Sequence, residues 1–307
     1  MDRLSRFQGC LLGVAIGDAL GMPFQYAGDP GDIEWKVQGD LDFLPGDLRA
    51  GQWTDDTQMT LCIVESLLER NAVDGAHIAS RYLAWYRSAD RRSPGTTTLE
   101  ALGRLDHGIP WNLAGMRGNN AAGNGAAMRI SPIGLWHACN VSGLLEDVEA
   151  ATISTHNTDE AVRGAAAVAF AVARAAAGTL DPGTIVRETC DFIGPCRSAV
   201  RLGEAEKLHR AGTDWRAALA RIGTGRYIVE TVGAAFFCLL SAPDDYARGV
   251  SMAVRAGGDA DTTAAVAGAM IGANVGLQGI PDRWVEGVED GPRIAGLARQ
   301  LCGLVYG

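Results

Sequence analysis

The stretch Ala256–Gly276, AGGDADTTAAVAGAMIGANVG, joins a glycine turn to a group of oxygen-bearing side chains and then to an apolar run. Gly257 and Gly258 permit the positive φ angles of a tight turn, because glycine has no Cβ. Asp259 or Asp261 can then cap the first turn of a helix. The stretch therefore predicts a turn followed by a helix that begins with acidic residues.

The rest of this predicted helix is small and apolar, with glycines four residues apart at Gly268, Gly272 and Gly276. Residues at this spacing lie on one helix face, and glycine there lets a neighbouring helix come close. The pattern predicts a buried helix.

The start of the helix, Asp259 to Thr263, is more polar than packing requires. A hard divalent cation would account for this, since Mg²⁺, Mn²⁺ and Ca²⁺ bind carboxylate and hydroxyl oxygens. Acidic caps at an ordinary helix N-terminus, with no metal, are the alternative.

A second segment of the same kind lies far upstream at Trp53–Gln58, WTDDTQ, and leads into the apolar run Met59–Leu68. Asp55 with Gln58 also fits a capping box, so a purely structural role is again an alternative. If the two helix starts face each other, their carboxylates could hold a pair of cations. These carboxylates belong to Asp55, Asp56, Asp259 and Asp261.

Composition favours a globular protein, with 47% hydrophobic and 21% charged residues in 307. The net charge of -9 argues against a surface for nucleic acid or anionic membrane. The seven cysteines are odd in number and scattered, without the spacing of a zinc site. We therefore expect reduced thiols and a cytoplasmic protein.

The N-terminus has the charge order of a signal peptide, with Arg3 and Arg6 before the apolar run Cys10–Ile16. That run is short and Asp18 follows it, so we interpret it as a first core helix. No run is expected to be long enough to span a membrane.

Helical periodicity dominates the chain, and alternating strand patterns are scarce. The most alanine-rich segment is apolar nearly all round and should be central. We find no linker, so we predict one all-α domain over residues 1–307, and no coiled-coil pattern, so we expect a monomer. The helical spacing covers residues 57–70, 76–87, 159–178, 198–210, 228–241, 245–255, 262–276 and 293–305.

Two further segments have polar residues of interest. The loop Gly118–Arg129 is rich in glycine and asparagine, and its N–H groups could cradle a pyrophosphate; the alternative is an ordinary wide loop. His156 precedes the alanine-rich helix, which Thr158 or Asp159 would cap, and we expect this histidine to be exposed.

Together these segments resemble the ADP-ribosylglycohydrolase family. The matching motifs, in chain order, are Gly9–Gly21 (GCLLGVAIGDALG), Trp53–Gln58 (WTDDTQ), Gly123–Arg129 (GNGAAMR), Thr155–His156, Val229–Thr231 (VET), Gly257–Thr262 (GGDADT) and Ile280–Trp284 (IPDRW).

The resemblance implies an all-α fold with two Mg²⁺ or Mn²⁺ ions in an ADP-ribose cleft. The implied metal ligands are Thr54, Asp55, Asp56, Asp259, Asp261 and Thr262. The implied substrate-binding residues are Gly123, Asn124 and Gly125 for the pyrophosphate, His156 for a ribose hydroxyl, and Tyr227 beside the adenine. Asp56 would help to deprotonate the attacking water.

The implied reaction releases ADP-ribose from a modified protein side chain, most simply from arginine. Two positions depart from the family pattern: Gln25 stands where many members have Glu, and Ser93 where some arginine-directed members have Asp. A glutamine cannot act as a base. The alternatives are therefore a catalytically impaired ADP-ribose-binding protein, or a hydrolase of serine-linked or small-molecule conjugates.

Overall fold

A computed structural model describes residues 2–25, 39–118 and 121–307 of the chain. The all-α fold is confirmed: these residues form sixteen α-helices and no strand beyond two isolated bridges. The helices are α1 (Arg3–Gly21), α2 (Asp55–Arg70), α3 (Gly75–Tyr86), α4 (Thr96–Asp106), α5 (Trp111–Ala114), α6 (Ser131–Trp136), α7 (Leu144–Thr152), α8 (Asp159–Ala176), α9 (Ile185–Ile193), α10 (Arg197–Arg210), α11 (Trp215–Ile222), α12 (Ile228–Ser241), α13 (Tyr246–Arg255), α14 (Ala260–Val275), α15 (Asp282–Gly287) and α16 (Gly291–Tyr306).

Helices α1 and α14 pack with their backbones in direct contact, and glycines on both helices make this possible. A Cβ added at Gly13 would lie 2.3 Å from the carbonyl oxygen of Gly268, and one at Gly272 would lie 2.1 Å from that of Gly9. No side chain fits in these gaps. The predicted close neighbour of α14 is therefore α1, which carries its own four-residue glycine repeat.

The alanine-rich helix α8 is central, as predicted, and packs against α6, α7, α9, α12 and α14. Residues Gly164–Ala173 are buried without interruption. Thr158 is its N-cap, accepting from the Ala161 N–H at 3.1 Å.

The segment Arg3–Phe24 is long and apolar enough to cross a membrane, contrary to our expectation from its sequence. Its most apolar window is 94% buried inside the protein, where α1 contacts α14 and α16. The segment thus lies in the core, as the sequence predicts.

The capping box considered as an alternative for Asp55 and Gln58 does not form. Thr54 is the N-cap of α2, and its own side chain accepts no hydrogen bond from the first turn. Gln58 turns away from the helix start because its carbonyl oxygen accepts the Trp85 indole N–H at 2.8 Å and the Arg92 backbone N–H at 3.1 Å.

Candidate active site

A cavity of about 470 Å³ brings together residues from both aspartate motifs and the glycine–asparagine loop. Its described lining residues are Gln25, Asp55, Asp56, Ser93, Pro94, Gly95, Thr96, Thr97, Thr98, Ala122, Gly123, Asn124, Gly125, Met128, His156, Arg226, Tyr227, Asp259 and Thr262. Nine of the eleven predicted site residues line it; Thr54 and Asp261 are buried next to residues that do.

The first motif is held in place by Asp18, which lies on α1 and is fully buried. Its carboxylate accepts the backbone N–H of Thr54 at 2.9 Å and of Thr57 at 3.1 Å. It also accepts the hydroxyls of the same two threonines, at 2.9 and 2.6 Å. Asp18 thereby satisfies donors at the start of α2 and fixes the turn that presents Asp55 and Asp56.

The second motif begins with Gly257 and Gly258, which have φ angles of 71° and 70° as predicted. The Asp259 N–H donates to the carbonyl oxygen of Thr224 at 2.7 Å, which anchors the turn. Thr262 faces the first motif, and its hydroxyl lies 3.2 Å from both carboxylate oxygens of Asp56. The two helix starts therefore meet, as the sequence predicts.

Three carboxylates, those of Asp18, Asp56 and Asp261, place one oxygen each within 4.8 Å of one another. Burial raises the pKa of Asp18 to about 6, although its hydrogen bonds from Thr57 and Thr54 oppose the shift. Burial, followed by the charges of neighbouring aspartates, raises the pKa of Asp55, Asp56 and Asp261 well above the usual range. Without a cation, these groups repel one another.

The donor set suits a hard divalent cation, because it consists of carboxylate and hydroxyl oxygens. In addition, Asp259 Oδ1 is buried and accepts no hydrogen bond from the described residues. The Arg226 guanidinium is 3.9 Å away, beyond hydrogen-bond distance. A buried carboxylate oxygen without a donor is costly, and a bound cation would satisfy it.

The glycine–asparagine loop reaches the second motif through Asn124. Its side-chain amide donates to Asp259 Oδ2 at 2.7 Å and to the Thr231 hydroxyl at 2.9 Å. A short 3₁₀ turn covers Asn124–Ala126, so no α-helix starts there. Part of the loop, Asn119 and Asn120, lies outside the described residues.

His156 is buried, so the prediction that it is exposed is wrong. The α8 cap is formed two residues later, which leaves the imidazole free to turn inward towards the loop. A Cβ at Gly125 would lie 3.0 Å from His156 Nε2, and one at Gly123 would lie 3.4 Å from it. The loop glycines thus make room for the ring.

Tyr227 precedes α12 and lines the cavity. Its position opposite the loop is fixed by two backbone hydrogen bonds, from Asn124 N to Arg226 O at 2.9 Å and from Ile228 N to Ala122 O at 3.0 Å. Its hydroxyl donates to Glu160 at 2.7 Å, so its ring is held at the cavity wall.

Both positions that depart from the family pattern, Gln25 and Ser93, line the same cavity. Ser93 has a φ of 47°, in the left-handed region, and begins the segment that leads into α4. The segment after Gln25, residues 26–38, lies outside the described residues.

Asp18 and Arg129 were given no site role from the sequence. Asp18 is the one acidic residue within the otherwise apolar segment Gly9–Gly21, which is a signal that could have been used. Arg129 is fully buried, with its guanidinium carbon 4.6 Å from the centre of the Tyr82 ring. No sequence pattern predicts that an arginine next to a loop is buried.

The chain is similar to known proteins over nearly its whole length. The family model described as ADP-ribosylglycohydrolase matches residues 1–307. The chain is 30% identical to the ADP-ribosylarginine hydrolase Tri1 of Pseudomonas putida, over 97% of this chain and 78% of that protein. It is 27% identical to the human ADP-ribosylhydrolase ARH3, over 93% of this chain and 90% of that protein.

A solved structure titled as an ADP-ribosylglycohydrolase-related protein complex is also similar. It superposes with a TM-score of 0.76 at 29% identity and covers 99% of both chains. The similar fold and the full-length family match lead to one conclusion: this chain belongs to the ADP-ribosylglycohydrolase family and is a glycosidic-bond hydrolase.

Proposed function

We propose that this enzyme removes ADP-ribose from modified arginine side chains of proteins, with two divalent cations, Mg²⁺ or Mn²⁺, in its cavity. The observation that carries the proposal is the meeting of the two aspartate motifs beside the glycine–asparagine loop in a single cavity. Its volume of about 470 Å³ suits a ligand of ADP-ribose size.

The residues that would hold the cations are the six oxygen donors of the two helix starts. When bound, the cations would supply Lewis-acid stabilisation of the oxygen charge that develops as the glycosidic bond breaks. Asp18 would support these donors without binding substrate. Its carboxylate accepts hydrogen bonds from the Thr54 and Thr57 hydroxyls and so keeps the first motif in one conformation. These donors are Thr54, Asp55, Asp56, Asp259, Asp261 and Thr262.

In the proposed reaction, a water attacks the anomeric carbon of the distal ribose while the bond to the guanidinium nitrogen breaks. Asp56 accepts a proton from the attacking water, the leaving nitrogen takes up one proton from solvent, and Asp56 then returns its proton to solvent. Asp56 is suited to this step because it lines the cavity, where its carboxylate faces the Thr262 hydroxyl of the second motif at 3.2 Å. The products are free ADP-ribose and unmodified arginine.

The arginine linkage is supported by the similarity to a protein named ADP-ribosylarginine hydrolase. A second candidate is the hydrolysis of serine-linked or small-molecule ADP-ribosyl conjugates. The observation that favours it is that Gln25 and Ser93 line the cavity, because many family members are expected to have Glu at the first position and some arginine-directed members Asp at the second.

We also propose that the enzyme works in the cytoplasm as a monomer on protein substrates, without binding nucleic acid or membrane. All seven cysteines are free thiols, which supports a reducing compartment. Light scattering of the purified protein, with and without Mg²⁺, would test the monomer; a dimer mass in both conditions would contradict it.

The test of the proposed function is the release of ADP-ribose from arginine-modified protein and, in parallel, from a serine-modified peptide. Each substrate is incubated with native enzyme in Mg²⁺, in Mn²⁺ and in EDTA. Asp261→Asn removes one carboxylate charge with little change of shape. Asp244→Asn, at an exposed position, is the matched control.

We expect release from arginine that requires a divalent cation and falls at least a hundredfold in Asp261→Asn, but is unchanged in Asp244→Asn. Release from serine alone would replace the arginine assignment with the second candidate. Release from arginine that persists fully in EDTA would contradict the role of the cations.

A further inference from the structure

We propose that Arg129 and Thr155 are positioning residues that hold His156 as the tautomer with its proton on Nε2, so that the ring donates a hydrogen bond into the cavity. The inference follows from the direction of each hydrogen bond in the chain Arg129–Thr155–His156.

The first hydrogen bond of this chain shows that Thr155 Oγ1 accepts from Arg129. Arg129 is fully buried, and its Nη2 donates to Thr155 Oγ1 at 2.5 Å. A guanidinium has donors but no acceptor, so Thr155 Oγ1 must be the acceptor here. The hydroxyl therefore keeps its single proton for another partner.

The second link decides where that proton goes. The two acceptors within reach are His156 Nδ1 at 2.9 Å and the carbonyl oxygen of Thr152 at 3.4 Å. The longer contact exceeds the usual distance for a hydroxyl donor. The Thr152 carbonyl also accepts the backbone N–H groups of Thr155 and His156, both at 3.1 Å. The hydroxyl proton thus points to His156 Nδ1.

The third link follows from the chemistry of a neutral imidazole. If Nδ1 accepts, the ring proton is on Nε2. Burial, and then the nearby charge of Arg129, lower the pKa of His156 to about 3, which keeps the ring neutral at physiological pH. His156 lines the cavity, and its Nε2 lies on the side of Gly123 and Gly125.

This inference deepens the proposed function and, in its ligand part, rests on it. A fixed Nε2–H recognises an acceptor atom, and ADP-ribose offers hydroxyl and phosphate oxygens. The opposite tautomer would present a lone pair to these phosphate oxygens and repel them. Fixing the proton in the free enzyme therefore removes one rearrangement from binding.

The direct test is nitrogen-15 NMR of the protein labelled at histidine, recorded without ligand at pH 7. The five histidines make the spectrum simple, and His156→Gln identifies the signal. Protonated and unprotonated ring nitrogens have well-separated shifts. We expect the Nε2–H tautomer for His156 in the native protein. A dominant Nδ1–H tautomer would overturn the proposal.

Thr155→Val removes the hydroxyl at nearly constant volume, and Thr155→Ser keeps it. Thr152→Val is the matched control, because the buried Thr152 hydroxyl has no hydrogen-bond partner among the described residues. We expect mixed tautomers in Thr155→Val, and the native spectrum in Thr155→Ser and Thr152→Val. An unchanged tautomer in folded Thr155→Val would also overturn the proposal.

Calorimetry with ADP-ribose and with ADP completes the experiment. We expect affinity for ADP-ribose to fall about fivefold to tenfold in Thr155→Val, the loss of about one aligned hydrogen bond, and to recover in Thr155→Ser. If Thr155→Val loses the same affinity for ADP as for ADP-ribose, the ligand atom that accepts from His156 Nε2–H lies on the diphosphate. If its affinity for ADP is unchanged, that atom lies on the distal ribose. Affinity unchanged in all variants would overturn the ligand part. Because these readouts need no turnover, failure of the hydrolase assay would leave the tautomer result standing.

Discussion

Single side chains determine the geometry of this site, and Asn124 is the clearest case. The sequence assigns it to the substrate, whereas its amide nitrogen is already engaged by Asp259 and Thr231. A side chain that bonds a cation ligand commonly affects cation affinity as well as substrate binding. Asn124 therefore connects the loop to the second aspartate motif.

We predict that Asn124→Ala weakens Mn²⁺ binding tenfold to a hundredfold, because Asp259 loses the donor that orients it. Titration calorimetry with the metal alone measures this directly, without substrate. Asn112→Ala, at an exposed position on α5, is the control and should bind Mn²⁺ normally. Native affinity in Asn124→Ala would show that Asp259 is oriented by other contacts.

Gly125 is predicted to be intolerant of even one added methyl group. In Gly125→Ala the new Cβ would lie 2.6 Å from His156 Cε1, so the ring or the loop must shift. We expect ADP-ribose affinity to fall at least tenfold, while the melting temperature changes little, because the clash is confined to the cavity wall. Gly296→Ala, where a Cβ meets no atom within 4 Å, should bind normally. Native affinity in both variants would contradict the predicted clash.

The aspartates of this site could be predicted from sequence because each motif is local: a turn, a cap position and paired carboxylates. Asp18 and Arg129 could not, because their roles depend on contacts with distant residues. Asp18 contacts a motif 36 residues further along the chain, and Arg129 bonds a threonine 26 residues away. The burial of His156 was missed for the same reason, since the loop that covers it is remote in sequence.

At the scale of elements, the contact between α1 and α14 sets the position of the site. Gly17 and Gly21 flank Asp18, and a Cβ at Gly21 would lie 2.4 Å from the Cα of Asp261. The close approach of the two helices is therefore what places Asp18 next to the second motif. The contact between α1 and α14 therefore includes both the packed glycines and the acidic cluster.

We predict that Gly13→Ala destabilises the protein by about 1–3 kcal/mol or more, since its Cβ would overlap the Gly268 carbonyl. Gly203→Ala is the matched control: it lies within α10, and its Cβ would meet nothing within 4 Å. That variant should be more stable than the native protein by about 0.5–1 kcal/mol. Urea denaturation monitored by circular dichroism measures both, and equal effects in the two variants would contradict the prediction.

The helices themselves were largely predictable, because an apolar stripe at helical spacing is a local signal. The boundaries of α8, α10 and α12 lie within two residues of the predicted ranges. Seven helices lie outside the predicted ranges: α5, α6 and α15 have four to six residues, and α4, α7, α9 and α11 have eight to eleven, so each offers at most about three turns of periodicity. The alternative of a capping box at Gln58 does not hold, because the Trp85 indole on α3 and the Arg92 backbone N–H donate to its side-chain oxygen instead.

For the whole molecule, the acidic cluster should make stability depend on pH and cations together. Because Asp18, Asp55, Asp56 and Asp261 have raised pKa values when folded, the folded state binds protons more tightly than the unfolded chain. The resulting stability is present below about pH 4 and is lost as pH rises through about 6 and above. His137, whose pKa is raised by Asp147 despite its burial, acts in the same direction. His156, whose pKa burial lowers to about 3, acts in the opposite direction below about pH 6.5, and the four aspartates outnumber it.

We therefore predict that the melting temperature in EDTA falls by at least about 3 °C between pH 5 and pH 8. Excess Mg²⁺ should reduce this fall, because it binds the folded state. Asp56→Asn removes one carboxyl group of the acidic cluster and leaves the titrating groups elsewhere unchanged. In EDTA, its melting temperature should therefore depend less on pH than that of the native protein. A melting temperature in EDTA that rises over this range would contradict the prediction.

The separation of the two aspartate motifs along the chain also matters for how the protein is made. Asp56 and Thr262, which meet in the cavity, are 206 positions apart, and Tyr246 donates to Gly13 across 233. At roughly 5–20 residues per second, synthesis leaves roughly 10–40 s between the emergence of the two motifs from the ribosome. The N-terminal helix, apolar and without its partner during that time, is the segment that a chaperone would need to protect.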